Sequence, residues 1–422
     1  MSTTAVTTTE APSTTNAPAS TTTQAQTTIL ASTTTANTVS TTTITTTTTT
    51  EPPIVKQCQE ANSVFDITST LSEFIGESVS CRGMTVCPDG SPPPCSWTRK
   101  IATQCFNTQT NSGGSQELQI QNTAIFRIRT NSLPNHCYQS SQNQVKENNI
   151  DFQVIYKNKP RYSLGRERLL IDEDETSSVT SMFKGDNQLS VNFALCSGSW
   201  TSVGSILQVS PSYQEFSGIM ENIVGIALNG VPIHIGNSEY GSDVFHPKKF
   251  GDKAYSEKTV ELDQCLGSSE ISGFYHYYGW SPCILPSDLI KSRNAEFCRN
   301  IPACIQDQLG YSLSFLSPQE KTIMIIGIAR DGHSILGPYK RDGELWQPCD
   351  VDMCNGIEIA GIYYYVTTMF HPYTVGCWGP APMKKVAEEC SNNVKICSNS
   401  NLINAISISA NLILIFILAI SS

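Results

Sequence analysis

Two segments about a hundred residues apart carry nearly the same sequence, and this repeat constrains the fold more than any other feature of the chain. The first is GIALNGVPI at 225–233, and the second is GIARDGHSI at 327–335. Each is followed by an Asp-x-Cys-x-Gly segment and then by a tyrosine-rich cluster that leads to a cysteine. Internal similarity of this kind predicts one structural unit that is used twice.

Each unit is predicted to begin with a β-hairpin and to contain its own disulfide. The Asn-Gly pair at 229–230 and the Asp-Gly pair at 331–332 favour turns with positive φ, which commonly join antiparallel strands. Cysteines at matching places predict one bridge in each unit, closing about 20 residues and contributing about 3 kcal/mol. The predicted pairs are Cys265 with Cys283 and Cys354 with Cys377. Short spacings also suggest Cys298 with Cys304 and Cys390 with Cys397.

The predicted fold class is mainly β, a β-rich α+β architecture with many short strands. The segment ELQIQNTAIFRIRT at 117–130 places apolar residues at alternate positions, which indicates a strand with one buried face. Similar short runs occur at 149–160, 188–196, 205–213 and 320–329. A helix is predicted over 286–302, where Pro286 and Ser287 suit a helix start, and a second, short helix over 381–393.

Composition divides the chain into five parts. The first is almost entirely Thr, Ser, Ala and Pro, so it has too little apolar surface to fold and is typical of a disordered, O-glycosylated, mucin-like stalk. An unmodified disordered tail is the alternative. The predicted parts are the stalk at 1–56, a Cys-rich, mostly loop segment at 57–115, the β-rich domain at 116–381, a Cys-containing linker at 382–400 and a hydrophobic tail at 401–422. Within the domain, the repeated units are placed at 225–283 and 327–377.

Cysteine content and charge indicate an extracellular protein that does not bind nucleic acid. The sixteen cysteines are dispersed and even in number, which suits disulfides in an oxidising compartment better than a zinc ribbon. The net charge is −10, and no basic stripe is present to neutralise phosphates.

The C-terminal tail predicts a membrane attachment at the cell surface. Only LILIFILAI at 412–420 is continuously apolar, and no Lys or Arg follows it. Small residues at Ser398 and Asn399, a short spacer and this apolar end match a glycolipid-anchor (GPI) signal, with Ser398 and Asn399 as the candidate attachment positions. A single C-terminal spanning helix is the alternative. No apolar core follows Met1, although the cysteines and the tail both imply a secretory signal.

The ordered motifs of the repeat resemble the YHYH-domain family. The segments that carry the resemblance are GIALNGVPI, LDQCLGSSEISGFYHYYGWSPC, IIGIARDGHSILGPY, DVDMCNG and YYYVTTMFHPYTVGCWG. The segment RTNSLPNHCY at 129–138 resembles the family's Asn-Gly-x-Pro-x-His entry strand, with Ser132 in place of the glycine and His136 at the histidine position. The resemblance spans about 118–381 and implies a secreted or surface domain with no settled activity.

The family's repeated histidines suggest metal binding, but this chain departs from the pattern. Ser268 and Ile357 stand where family members carry a histidine after the Asp-x-Cys-x-Gly segment. The first cluster keeps His276 but has Tyr278 in place of its partner, and the second cluster has no histidine. Transition metals prefer several N, S or carboxylate ligands, and neutral tyrosine is a poor one. We therefore predict no metal or other cofactor and retain His276 as the candidate metal ligand, with Asp263 near it and His136, His234, His246, His333 and His371 elsewhere in the chain.

The tyrosine clusters have two interpretations. As strand residues they divide between two faces, so they suit core packing and cross-strand pairing. As an exposed aromatic surface they suit binding of sugars or proteins. The candidate binding residues are Tyr275, His276, Tyr277, Tyr278, Tyr363, Tyr364 and Tyr365.

Catalytic motifs are missing from the sequence, which favours a protein that is not an enzyme. There is no GxSxG elbow and no HExxH pair, and the cysteines are expected to be bridged rather than nucleophilic. Asp263 and Asp352 occupy matching positions and could form a carboxylate pair if the two units faced each other. The favoured role for each is to cap a turn beside its disulfide through Asx hydrogen bonds.

These observations predict a cell-surface binding or structural module with an unidentified extracellular protein or glycan as partner. The alternative is a metal-binding protein or metal-dependent enzyme that uses the His–Tyr motif. A third possibility is an adhesive, mucin-like coat protein whose folded domain is only a spacer.

Overall fold

The computed structural model describes residues 52–112, 119–141, 144–156, 213–220, 222–238, 243–247, 259–270, 272–352 and 354–380. The predicted stalk lies outside these ranges, except for its last five residues, and so do the run at 188–196, nearly all of the run at 205–213, and the helix at 381–393. The linker and the tail, with Cys390, Cys397, Ser398 and Asn399, also lie outside them.

The two repeats form a single sheet in which each unit supplies one half. The strands of the first unit are β7 (Ile223–Ala227), β8 (Pro232–His234), β9 (Gly267–Ser268) and β10 (His276–Tyr277). Those of the second are β11 (Ile325–Ala329), β12 (Ser334–Leu336), β13 (Gly356–Ile359) and β14 (Ile362–Val366). The order across the sheet is β13-β14-β12-β11-β7-β8-β10-β9, so the second half repeats the first in reverse.

The centre of this sheet is the antiparallel pair β7–β11. Ile226 lies opposite Ile328, while Gly225 pairs with Ala329 and Ala227 pairs with Gly327. The register is therefore unchanged when the two units are exchanged, as a two-fold axis through the central pair requires. The sequence repeat thus becomes an internal two-fold symmetry of the sheet.

Both predicted hairpins are present, and their turns are the same. In the first, Gly230 has φ 86° and the backbone N–H of Ala227 donates to the carbonyl of Val231 at 2.9 Å. In the second, Gly332 has φ 95° and Ala329 donates to the carbonyl of His333 at 2.9 Å. Positive φ carries little strain at glycine, which explains the Asn-Gly and Asp-Gly pairs.

A second sheet precedes the repeats along the chain. Its order is β3-β4-β5-β6, formed by Ile101–Ser112, Gln119–Thr130, Ile150–Ile155 and Tyr213–Ser217. The alternation predicted for the second of these strands is present, because Ala124, Phe126 and Ile128 are all buried. Strands β3 and β4 pair over twelve positions. The boundary predicted at 115/116, between the Cys-rich segment and the β-rich domain, therefore separates two paired strands.

The Cys-rich N-terminal segment has more regular structure than the predicted loop. It holds α1 (Pro53–Ser63), the hairpin of β1 (Glu77–Cys81) and β2 (Cys95–Arg99), and then β3. Its cysteines form three bridges, Cys58–Cys105, Cys81–Cys137 and Cys87–Cys95. Cys58–Cys105 joins α1 to β3, Cys81–Cys137 joins β1 to the segment that follows β4, and Cys87–Cys95 closes the connection between β1 and β2.

The disulfides predicted for the two units are both formed, Cys265–Cys283 and Cys354–Cys377. The short-range pair Cys298–Cys304 is formed as well. Each unit is therefore closed by its own bridge, and the mainly β fold class is confirmed.

The helix predicted over 286–302 is wrong in its extent. Only one α-helical turn, α2 (Asp288–Lys291), forms near its start, and the chain leaves the helix at Ser292 before a separate 3-10 turn at Cys298–Asn300. The backbone beyond it bonds elsewhere: the Arg293 carbonyl accepts from Arg82, and the Glu296 carbonyl accepts from Gln264. Tertiary hydrogen bonds thus override the local helix signal. Two further short helices follow, α3 (Pro302–Gln306) and α4 (Gln308–Leu313).

None of the helices in the described ranges combines the length and the apolar character that crossing a bilayer requires.

Candidate functional site

The Asp-x-Cys-x-Gly segment of the first unit folds into a turn around its aspartate. Asp263 Oδ1 accepts hydrogen bonds from the backbone N–H groups of Cys265 at 2.8 Å and Gly267 at 3.0 Å. Asp263 Oδ2 accepts from the Tyr275 hydroxyl at 2.9 Å. The carboxylate therefore joins the turn, the disulfide and the first tyrosine of the cluster.

The second unit repeats this arrangement. Asp352 Oδ1 accepts from the backbone N–H groups of Cys354 at 2.9 Å and Gly356 at 2.8 Å, and Oδ2 accepts from the Tyr363 hydroxyl at 2.7 Å. The Asx hydrogen bonds expected of both aspartates are therefore present. The carboxylate pair is not formed, because each aspartate bonds within its own unit, and the strands that follow them, β9 and β13, stand at opposite edges of the sheet.

The glycine of the motif is required by the close approach of the tyrosine. A Cβ atom on Gly267 would overlap the hydroxyl end of Tyr275, and one on Gly356 would overlap that of Tyr363. The residue before each glycine is left-handed, with φ 54° at Leu266 and 66° at Asn355. Asp, Cys, Gly and Tyr are thus parts of one packed turn.

Burial changes the acid–base properties of this turn. It raises the pKa of Asp263 to about 7, although the N–H and O–H donors around the carboxylate oppose the shift by favouring the charged form. Burial and the adjacent carboxylate also raise the pKa of the Tyr275 hydroxyl well above its usual range. The tyrosine is therefore a permanent proton donor in a hydrogen bond, which suits a structural role.

The second tyrosine of each cluster bonds to the turn of its hairpin. In the first unit the Asn229 side-chain amide donates to the Tyr277 oxygen at 3.0 Å. In the second unit the Tyr365 hydroxyl donates to Asp331 Oδ2 at 2.8 Å. From the sequence, Asn229 and Asp331 were predicted only to favour the turn conformation, and no pattern indicated the hydrogen-bond partners of their side chains.

A histidine packs against the tyrosine pair in both units, but it comes from a different part of the chain in each. His136 Nδ1 faces the Cys137 carbonyl at 3.0 Å, so Nδ1 carries the proton and Nε2 accepts from the Tyr277 hydroxyl at 2.8 Å. His333 lies with its ring centroid 5.0 Å from that of Tyr363, and its Nδ1 donates to Asp331 Oδ2 at 2.8 Å. Sequence comparison of the two units could not reveal this equivalence.

Among the described residues, one group has three potential metal-ligand atoms close together: those of His136, Cys265 and Cys283 lie within 4.8 Å of one another. The two sulfur atoms form the disulfide of the first unit, so neither is a thiolate. A metal needs the thiolate form of cysteine, and this group therefore does not suit a metal in the oxidised protein.

The candidate binding tyrosines are almost all inside the molecule. Tyr275, Tyr277 and Tyr365 are fully buried, and Tyr278 and Tyr363 are nearly so. Tyr364 is the partly exposed member of the set. An aromatic platform at the surface therefore has little support from these side chains.

The face of the sheet opposite the tyrosine pairs is different in the two units. In the first unit it carries His234, His276 and Tyr278, and in the second Leu336, Tyr364 and Val366. The rings of His234 and His276 stack with centroids 3.7 Å apart and planes 8° apart. The contact of His234 with His276 was not predicted from the sequence, because only the parallel pairing of β8 with β10 brings the two rings together.

Comparison with known proteins finds a family model that matches part of the chain. Residues 207–345 match the family model described as YHYH protein. The match covers the first unit and the hairpin of the second, while the turn and tyrosine cluster of the second unit lie beyond it. No curated protein and no solved structure matches the chain.

Proposed function

We propose that the chain, whose residues 207–345 match the YHYH family model, is a cell-surface binding or structural module rather than an enzyme. One observation carries the proposal: the polar groups of the Asp, Tyr and Gly motif are satisfied by one another inside the protein. In both units the aspartate accepts the same motif hydrogen bonds, with Tyr275 donating to Asp263 and Tyr363 donating to Asp352. Such a motif stabilises a fold and leaves no reactive group facing a substrate.

The compartment is proposed from the cysteines and the terminal segments. Disulfides in both units and in the N-terminal segment suit a secreted or surface protein. A Thr/Ser-rich, O-glycosylated stalk and a C-terminal glycolipid anchor would present the domain at the outer face of the plasma membrane. The partner proposed there is an extracellular protein or glycan.

Surface display is tested on intact cells that express the full chain. An antibody to the domain should label cells without permeabilisation, and phospholipase specific for phosphatidylinositol should release the protein into the medium. A protein that is labelled but not released has a spanning tail instead of the lipid anchor. A protein that is not labelled on intact cells contradicts surface display.

The binding role is tested with the full chain, recovered with phospholipase or detergent, on a glycan array and on intact cells. We expect selective retention of one glycan class or one surface protein. The Tyr275→Phe variant should keep that selectivity while losing stability, because Tyr275 is fully buried. Lost binding with unchanged stability would place the motif in the ligand site and overturn the structural role. A blank array with no cell binding would favour the spacer function and contradict a binding module.

A further inference from the structure

The N-terminal hairpin of β1 and β2 lies beside a cavity of about 460 Å³. Three consecutive residues of β2, Ser96, Trp97 and Thr98, line the cavity, and so do Gln144 and Lys146 of a later segment. Cavities of this size are typical of ligand sites. The cavity is separate from the Asp–Tyr turns and from the two tyrosine clusters.

The backbone of β2 directs polar groups toward this cavity. In the antiparallel hairpin Ser80 lies opposite Ser96, and Ser78 lies opposite Thr98. The Thr98 carbonyl accepts from the Asn131 side-chain amide at 2.9 Å, so it points away from β1. In an antiparallel pair both backbone groups of a residue point to the same side, and the side alternates along the strand. The N–H and carbonyl of Ser96 and the N–H of Thr98 therefore also point away from β1.

These three backbone groups form no hydrogen bond with the described residues. Unpaired N–H and C=O groups along a strand edge are a template for pairing with another extended chain. The edge of β2 opposite β1 is thus open to the addition of a strand.

Two contacts hold this edge in place. The Asn131 side-chain amide, which bonds to Thr98, also donates to Glu147 Oε1 at 3.0 Å and so joins β2 to the segment 144–147. The Cys87–Cys95 disulfide fixes the start of β2. An edge that is already ordered lowers the entropic cost of binding.

The aromatic ring at the cavity does not suit a stacked sugar. Trp97 is only 7% exposed, its ring packs against Tyr138 with centroids 5.6 Å apart, and its Nε1 donates to the Pro134 carbonyl at 2.9 Å. A ring that is covered in this way offers no open face. The strand edge is therefore the recognition element, and its chemistry suits an extended peptide.

The charged groups around the cavity favour an acidic peptide. Lys100 and Lys146 line it, and neither forms an ion pair with a described residue. Asp89 and Glu147 also line it, but each already accepts a hydrogen bond from a neighbouring residue. The ammonium groups are thus the charges available to a ligand, and acidic side chains complement them.

We propose that the free edge of β2 binds an extended, acidic peptide segment of an extracellular protein by strand addition. Ser96 would exchange two backbone hydrogen bonds with the peptide, and Lys146 would contact an acidic side chain. This inference rests on the binding role proposed above and names the surface and the class of partner for it. Binding to cells or glycans that does not depend on β2 would contradict this inference and leave the binding module intact.

The probe is a displayed library of random peptides of about ten residues, presented to the full chain. We expect the selected peptides to be rich in Asp and Glu and in residues that favour strands. Synthetic copies should slow hydrogen exchange at the amides of Ser96 and Thr98. A library that yields no binder overturns the proposal.

A proline at Ser96 tests the strand edge directly. Ser96→Pro removes the N–H that faces the cavity and leaves the hydrogen bonds between β2 and β1 in place, so the hairpin should fold. We expect it to weaken peptide binding about tenfold or more. The matched control is Ser78→Pro, whose lost N–H faces the opposite edge of the same hairpin and which should keep the affinity. Equal affinities of the two variants overturn the proposal.

Charge reversal supplies a test that leaves the backbone unchanged. Lys146→Glu should weaken binding of the acidic peptides about tenfold or more, whereas Lys291→Glu, at an exposed lysine that does not line the cavity, should not. If urea unfolding shows that Ser96→Pro does not fold, an unchanged affinity of Lys146→Glu overturns the proposal. Retention of an anionic glycan that needs Lys146 but not the Ser96 N–H would assign the cavity to a sugar and overturn the peptide.

Discussion

A carboxylate that is buried away from water is stable only when donors surround its oxygens. Asp263 and Asp352 share three donors, two backbone N–H groups and one tyrosine hydroxyl, and Asp263 also accepts from the backbone N–H of Gln139. The hydroxyls of Tyr275 and Tyr363 therefore link each turn to the tyrosine cluster of its unit through a hydrogen bond.

Removing that hydroxyl should destabilise the protein in both units. We expect Tyr275→Phe and Tyr363→Phe each to lower the free energy of unfolding by about 1–3 kcal/mol, because a buried carboxylate oxygen loses a donor. Urea denaturation of the two variants measures the effect. Tyr364→Phe is the matched control: its ring is partly exposed and its hydroxyl forms no hydrogen bond with the described residues, so its effect should stay within about 0.5 kcal/mol. Equal losses in all three would show that the hydrogen bonds are not the cause.

At the scale of strands, the central pair β7–β11 depends on two glycines. A Cβ atom on Gly225 would press on the backbone carbonyl of Ile328, and one on Gly327 would press on that of Ile226. Backbone atoms in the centre of a sheet cannot move aside as a flexible side chain can. The glycines thus permit the two units to approach closely at the symmetry axis.

The two glycines should be about equally sensitive to substitution. We expect Gly225→Ala and Gly327→Ala each to cost about 1–3 kcal/mol of stability, as overpacking in a rigid site does. Thermal or urea unfolding compares them with Gly337→Ala, whose added methyl would contact mainly the flexible side chain of Met324 and should cost less. A large effect at only one of the two positions would contradict the symmetric packing.

Elements could be predicted where the sequence motif that specifies them is local. The two hairpins and their disulfides could be predicted, because the repeat displays the turn dipeptide and the cysteines twice. The helix predicted over 286–302 was wrong in its extent, because the backbone of this segment forms hydrogen bonds with Arg82 and Gln264, which are distant in sequence. The order of the eight strands was equally hidden, because the pairing of β7 with β11 is a contact between the repeats.

The candidate site was predictable to the same limited degree. The Asx role of Asp263 and Asp352 followed from their place beside a cysteine and a glycine. The contact of His136 with Tyr277 joins residues 141 positions apart, and no pattern in the sequence encodes it. The stacking of His234 on His276 was not predicted, because it depends on the register of two parallel strands.

For the molecule as a whole, the pH dependence of stability sums opposing contributions from buried groups. Burial lowers the folded-state pKa of His276 to about 4 from an unfolded value of about 6.5, and it lowers the pKa of His234 well below the same unfolded value. The unfolded chain then binds more protons, so their contribution is present above pH 6.5 and is lost as pH falls toward 4. The raised pKa of Asp263 acts in the opposite sense, because its contribution is lost as pH rises from about 4 to 7.

Substitutions should therefore change the pH profile in opposite directions. We expect His234→Leu/His276→Tyr to lose less stability on acidification from pH 6.5 to 4.5 than the wild-type protein, by up to about 1.4 kcal/mol per pH unit for each histidine. Asp263→Asn should lose more over the same range. Urea unfolding at several pH values measures both slopes. Profiles that shift in the same direction would contradict the assigned pKa changes.

The central strand pair has a consequence for the history of the molecule. A strand edge that pairs in register with its own duplicate is self-complementary, which is the property that closes a symmetric homodimer. The joined units are therefore what a gene fusion of two such subunits would leave behind. Once both halves belong to one polypeptide, they no longer have to be identical, and one half can preserve the architecture while the other acquires a new specialisation.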